Sequence, residues 1–300
     1  MPLNAYKRNI ISCVVVLIAL FASNKLIAQP LTSPVSLQHS TELDFCAKTN
    51  NQDYKLFVSL PASYNPKDSA KYPVVYLLDG NLFFSLVHSM KEFYLAGEEV
   101  PEMIVVGIGY HINTVMESMP YRTWDYTPTR DTSFDNMITA ELKSNVVSGG
   151  ANYFMNTLKS EIIPYVEQHY KTSNDKALAG HSFGALFGAY VLFHEPSLFN
   201  KYLLSSVSMP WDKDEMLSEE TSYFNAGHKQ LPARVFISVG EKEESNMVPL
   251  MQQLVKAMRE HNYEGLNIED HILANESHTS VVATAFNQGL RSLYKEYKRL

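Results

Sequence analysis

The chain of 300 residues is 45% hydrophobic with a net charge of −7, enough apolar content for one large α/β domain or two small ones. That acidic balance disfavours nucleic acid or an anionic membrane surface as a partner. Two cysteines, with neither a paired-cysteine metal motif nor a phosphate-cradling G-x-x-x-x-G-K-[ST], give metal and nucleotide mechanisms no ligands, so no metal and no cofactor are expected.

At the start, Lys7 and Arg8 precede an apolar run over residues 10–22, a short polar break and Leu26-Ile27-Ala28. These are the three parts of a secretory signal peptide over residues 1–28. The apolar run is shorter than the ~20 residues that span a bilayer. The expectation is export to the periplasm or cell exterior, without stable membrane insertion once the segment is removed. Removal takes away Lys7, Arg8 and Lys25 and no acid, moving the net charge from −7 to −10. Cys46 then has no partner for an internal disulfide.

Residues 29–42 read as a flexible leader rich in Pro, Ser, Thr and Gln, and residues 43–300 as a single domain. Residues 55–60 alternate as an early antiparallel strand should. Residues 72–79 (YPVVYLLD) form a continuous apolar strand, which suits a sheet covered on both faces. A helix over 83–95, a strand over 103–107 and a long helix over 153–170 with a kink at Pro164 follow. Strands at 176–179, 202–206, 233–239 and 266–273 alternate with helices from Ser182, over 248–261 and over 279–298. This rhythm predicts an α/β-hydrolase-type layered fold, a mainly parallel central sheet flanked by helices on both faces. Between about 110 and 150 the rhythm breaks, and the stretch reads as an inserted loop forming one wall of a substrate pocket. Arg122, Trp124 and Tyr126 are its candidate substrate contacts; the alternative is that Arg122 and Asp125 pair with each other or tie the loop down.

Ala177-Leu178-Ala179-Gly180-His181-Ser182-Phe183-Gly184 organises the rest. It has the G-x-S-x-G pattern of a nucleophile elbow, in which a strained strand-to-helix turn exposes the serine. Side chains at Gly180 and Gly184 are expected to collide with neighbouring backbone. A serine hydroxyl needs a base, and the base needs a group to orient it, in the order Ser, acid, His. His278, in the loop after the last strand and before the last helix, has the position of that base. The strand over 233–239 ends in Gly240-Glu241-Lys242-Glu243-Glu244, where Glu243 is the first candidate for the acid, Glu241 the second and Asp212 the third. Backbone N–H groups of Phe183 and Asn81 are the expected oxyanion donors. His181 is expected to pack against a neighbouring loop beside the substrate instead of acting as base.

On these motifs the chain resembles the esterase D-like branch of the α/β-hydrolases, which includes the ferric-siderophore esterases. The resemblance spans residues 43–297 and rests on YPVVYLLDGN (72–81), RTWDYTP (122–128), SGGANYF (148–154), AGHSFGALFGAY (179–190), SVGEKEE (238–244) and NESHTSV (275–281). It implies Ser182 as nucleophile, His278 as base and Glu243 at the acid position, although some siderophore esterases rely on a Ser-His dyad. It also implies that the segment holding Arg122 lies near the substrate. Residues 206–211 read Ser-Val-Ser-Met-Pro-Trp, where relatives often carry Ser-Pro-Ser and paired tryptophans.

The sequence therefore predicts an exported serine ester hydrolase acting on a small-molecule ester through an acyl-enzyme. Acyl transfer to a sugar or lipid hydroxyl, or non-catalytic ligand binding on the same fold, are the alternatives. Anionic ferric catecholates would call for Arg122, Arg130 or lysines converging on the pocket. Aromatic-acid sugar esters and simple acyl esters stay equally open, and the oligomeric state is not encoded legibly.

Overall fold

A computed structural model describes residues 35–213 and 215–297. The predicted signal peptide, residues 1–28, lies outside the described residues. Contacts divide the chain between residues 37 and 38, and every described strand and helix belongs to the unit from Gln38 onward.

That unit is built on one sheet of eight strands: β1 Ser40–Cys46, β2 Asp53–Ser59, β3 Tyr72–Leu77, β4 Ile104–Gly109, β5 Thr172–His181, β6 Lys201–Ser205, β7 Arg234–Gly240 and β8 Asn267–Leu273. Their spatial order is β1-β2-β4-β3-β5-β6-β7-β8. The pairs β1/β2 and β2/β4 are antiparallel, and every pair from β4 to β8 is parallel. The helices are α1 Gly80–Ala96, α2 Met119–Tyr126, α3 Thr132–Leu142, α4 Ala151–Thr157, α5 Ile163–His169, α6 Phe183–His194, α7 Glu215–Asn225, α8 Met247–Glu260 and α9 Val281–Leu293. This is the mixed α/β architecture expected from the alternation of apolar strands and helices.

Continuous apolar runs form the central strands because both faces are covered. Along β3, Val74 and Tyr76 enter the large core with α6, whereas Val75 and Leu77 are equally buried outside that cluster. α1 packs on β4 and touches α9, which lies on β6 and β7; α6 lies on β5 and β6 together with α2, α4 and α7. α6 is apolar all round, with every residue from Gly184 to Phe193 buried, as a helix enclosed on all sides must be.

Three differences from the sequence reading have physical causes. β1 opens at Ser40, inside the stretch read as leader, and pairs Ser40 to Cys46 against β2. Its largely exposed side chains give no buried alternation. The stretch 110–150 is not an unpatterned loop: it holds a 3₁₀ turn, Val115–Ser118, and the helices α2 and α3. The long helix expected over 153–170 is interrupted by a π-helical turn, Leu158–Ile162, immediately before Pro164 in α5. A proline lacks the N–H a regular helix would use, and the wider turn absorbs the mismatch.

Sequence order reverses at the centre of the sheet. The chain leaves β3 through α1 toward β4 on one side, and leaves β5 through α6 toward β6 on the other. Adjacent carboxyl ends whose connections diverge leave a crevice between them, the usual ligand site in such sheets.

Candidate active site

The crevice is occupied by Ser182, the residue linking β5 to α6. Its backbone is at φ 58 and ψ −120, a conformation that costs a non-glycine residue about 1–3 kcal/mol. The hydroxyl is thereby lifted off the end of the sheet. Gly180 makes the bend possible, because a Cβ there would lie 2.5 Å from the Gly184 carbonyl carbon and oxygen. The collision expected at Gly184 itself does not occur. The nearest atoms to a Cβ there are on Leu78 and Asp79 at 3.4 Å and beyond, ordinary contact.

His278 stands in the turn between β8 and α9. Its Nε2 is 3.0 Å from Ser182 Oγ, and its Nδ1 is 2.7 Å from Glu243 Oε2. Glu243 lies in the turn after β7, its side chain buried. Its Oε1 accepts the Gly240 N–H at 2.7 Å and the Ser206 hydroxyl at 2.5 Å. Burial alone would raise its pKa. The hydrogen bonds from His278, Ser206 and Gly240 outweigh burial and hold the carboxyl below its ordinary range. Of the other acid candidates, Glu241 accepts the Asn275 N–H and Asp212 lines a neighbouring cavity.

Phe183 is the first residue of α6 and Asn81 the second of α1, positions where a helix leaves backbone N–H groups without an intrahelical acceptor. The turn bearing Asn81 lies against the elbow, since Leu78 and Asp79 are the nearest neighbours of Gly184. The Asn81 side chain fixes that turn to the end of β4: its Oδ1 accepts the Tyr110 N–H at 2.7 Å and its Nδ2 donates to the Tyr110 carbonyl at 3.0 Å.

Arg122 reaches the site's edge by tying its segment to the turn after β3, as the second of the two expected alternatives had it. Its Nε and Nη2 donate to the two oxygens of Asp79 at 3.1 and 3.0 Å, and its guanidinium lies 5.3 Å from the centre of the Phe183 ring. It does not pair with Asp125. That carboxylate is buried between the Tyr54 and Tyr110 hydroxyls, at 2.9 and 3.1 Å. Tyr126 is fully buried, and its hydroxyl accepts the Asp79 N–H at 3.1 Å. Trp124 stacks on Tyr153 and covers Gly150. Trp124 and Tyr126 thus support the wall from behind and line no part of the cavity beside His278. His181 is buried, its Nδ1 3.2 Å from Ser205 Oγ and its ring centre 4.6 Å from that of His278. Burial, with His278 and Arg122 nearby, lowers its pKa to about 3, so it stays neutral.

Sequence reasoning missed Ser206 and Ser208. Ser206, at φ 51, holds Glu243, and Ser208 Oγ is 3.2 Å from Ser182 Oγ. Their place directly after β6, beside the elbow strand, was the available signal. Also missed were Phe134 and Met247, which together with Trp211, the end of the segment 206–211 already singled out, line a cavity of about 470 Å³ reaching Ser208 and His278. Among the described residues, no group of three or more His, Cys, Asp or Glu side chains is placed to hold a metal ion. Nor is any described helix long and apolar enough to cross a membrane.

A mostly parallel sheet with a serine-bearing elbow at its switch point is an α/β-hydrolase fold. The chain belongs to the Esterase family, whose model, described as "Putative esterase", matches residues 47–282. It is 27% identical over 257 residues to the ferri-bacillibactin esterase BesA of Bacillus subtilis strain 168, an alignment covering 82% of this chain and 86% of that one. It is 24% identical to the siderophore triacetylfusarinine C esterase of Aspergillus fumigatus, covering 88% and 96%. Among solved structures, the BES protein from Bacillus cereus superposes with a TM-score of 0.77 at 26% identity, covering 89% of this chain and 99% of that one.

Proposed function

We propose that this chain is an exported serine carboxylic ester hydrolase working through an acyl-enzyme. The observation that carries the reading is the continuous hydrogen-bonded chain from Ser182 Oγ through His278 to Glu243. Membership of an esterase family and relatives named as siderophore esterases support ester hydrolysis, and the pattern of residues 1–28 supports export.

With Nδ1–H held by Glu243, His278 Nε2 is free to take the Ser182 proton as Oγ bonds to the ester carbonyl carbon. The carbonyl oxygen becomes an oxyanion within reach of the Phe183 and Asn81 N–H groups. Collapse breaks the bond to the alcohol, which leaves with the proton from His278. Water then attacks the acyl group, His278 accepting its proton and returning one to Ser182 as the acid departs. The Asp79–Arg122 pair and Tyr126 keep the β3 turn, and with it the Asn81 N–H, in position.

Protein lacking residues 1–28 should hydrolyse p-nitrophenyl butyrate and be labelled by a fluorophosphonate at Ser182. Ser182→Ala should abolish labelling and lower kcat by up to ~10⁶. An unchanged rate in that variant removes the proposal.

A further inference from the structure

The cavity next to the Ser182–His278 pair has an unusual combination of walls. Phe134, Phe183 and Trp211 form an apolar corner, each ring edge-on to the other two with centres 5.2 to 5.6 Å apart. Met247 and Pro210 extend it. Around this corner stand three carboxylates besides Glu243: Asp131, Asp212 and Glu244. Among the described residues, no lysine or arginine lines the cavity.

Two arginines near it are each held by a carboxylate. Arg122 is clamped by both oxygens of Asp79, its guanidinium 5.3 Å from the centre of the Phe183 ring, and is not among the lining residues. Arg130, pointing largely to solvent, is paired with Asp135. Lys213 and Lys242 neighbour Asp212 and Glu243 in sequence but are exposed and outside the lining. Asp131 also caps α3, accepting the Ser133 and Phe134 N–H groups; this fixes its carboxylate at the cavity rim. Charges lining a cleft with low-dielectric walls set the sign of the ligand it concentrates. An aromatic corner adds favourable contact for an apolar or quaternary ammonium group and none for an anion.

Building on the ester hydrolase reading, we infer that the ester this site takes carries no negative charge. Its body is apolar or aromatic, and a cationic group on it is preferred to a neutral one and a neutral one to an anionic one. Polyanionic chelates, which would need converging basic side chains, are the disfavoured class.

Three p-nitrophenyl esters sharing one leaving group test this: the butyrate, the 4-(trimethylammonio)butyrate and the hemisuccinate. The cationic ester should exceed the anionic one in kcat/KM by about tenfold or more at low salt, narrowing toward parity near 1 M salt. The double variant D212N/E244Q should shrink the ratio several-fold. Equal or greater kcat/KM for the hemisuccinate overturns the inference while leaving the esterase reading intact. Conversely, if none of the three is hydrolysed and Ser182 resists the fluorophosphonate, the esterase reading fails. Binding to Ser182→Ala then decides the charge preference alone, since Trp211 reports on the cavity. Benzyltrimethylammonium should change tryptophan fluorescence at lower concentration than phenylacetate, and the reverse order sinks the inference.

Discussion

Both carboxylate oxygens of Glu243 are engaged, Oε2 by His278 and Oε1 by Gly240 and Ser206. A glutamine of the same shape would turn its NH₂ either toward the His278 N–H or toward the Gly240 N–H, setting donor against donor in either orientation. Glu243→Gln should therefore lower kcat by up to ~10⁴, whereas Glu241→Gln, at a side chain that accepts the Asn275 N–H away from His278, should stay within about twofold. Steady-state rates on p-nitrophenyl butyrate separate the two; comparable losses would move the acid away from Glu243, and little loss at either would mark a dyad. Glu243 was the leading acid from its spacing after a turn glycine. For Ser206 the sequence offered only its place after β6; its positive φ and its bond to Glu243 leave no trace in composition. Gly240 itself is required, since a Cβ there would lie 2.5 Å from the Glu276 carbonyl oxygen.

Elements explain what the serine's surroundings demand. The elbow depends on β5 and α6 approaching so closely that Gly180 rests on the Gly184 backbone. Gly180→Ala should cost about 3 kcal/mol or more through backbone overlap. Gly184→Ala should stay within about 1 kcal/mol, since its new methyl would meet only ordinary contacts. Thermal unfolding of the two variants measures the contrast, and equal losses would show that the pattern's second glycine is sterically required after all. Strands were readable at this scale because β3, β7 and the buried second half of β5 are apolar runs ended by turn residues, whereas the polar opening of β5, residues 172–175, was not read as strand. α2 and α3 were not, because their buried positions include Thr123, Asp125 and Asp135. A helix that buries polar side chains shows no apolar period. For the same reason Trp124 and Tyr126 looked like pocket residues when they support its wall from behind.

Across the whole molecule, Asp125 links β2, β4 and α2 through Tyr54 and Tyr110. Burial raises its pKa to about 7 despite those hydrogen bonds, against 3.8 ordinarily. Between these values the unfolded chain releases a proton that the folded one keeps. Stability from this group therefore falls as pH rises from about 4 to about 7 and is level above, a loss of about 2–4 kcal/mol. Asp125→Asn should remove that slope, so urea unfolding at pH 4.5 and pH 8 should give a smaller difference for the variant than for the parent. Identical differences would mean that Asp125 ionises as freely folded as unfolded. No residue pattern announced this network, since its members lie far apart in sequence and meet only once the sheet is closed.

His278 follows β8, which sits at the sheet's edge, pairs only with β7 and is partly exposed along most of its length. Ser182 rises instead from β5, held between β3 and β6. The imidazole and the hydroxyl thus belong to regions of unequal resistance to local opening. Peeling of the outermost strand would carry the His278 imidazole away from Ser182 while the interior remained packed. Esterase activity should then disappear at a lower urea concentration than the tryptophan signal of global unfolding, and coincident midpoints would show that the margin and the centre of the sheet melt as one.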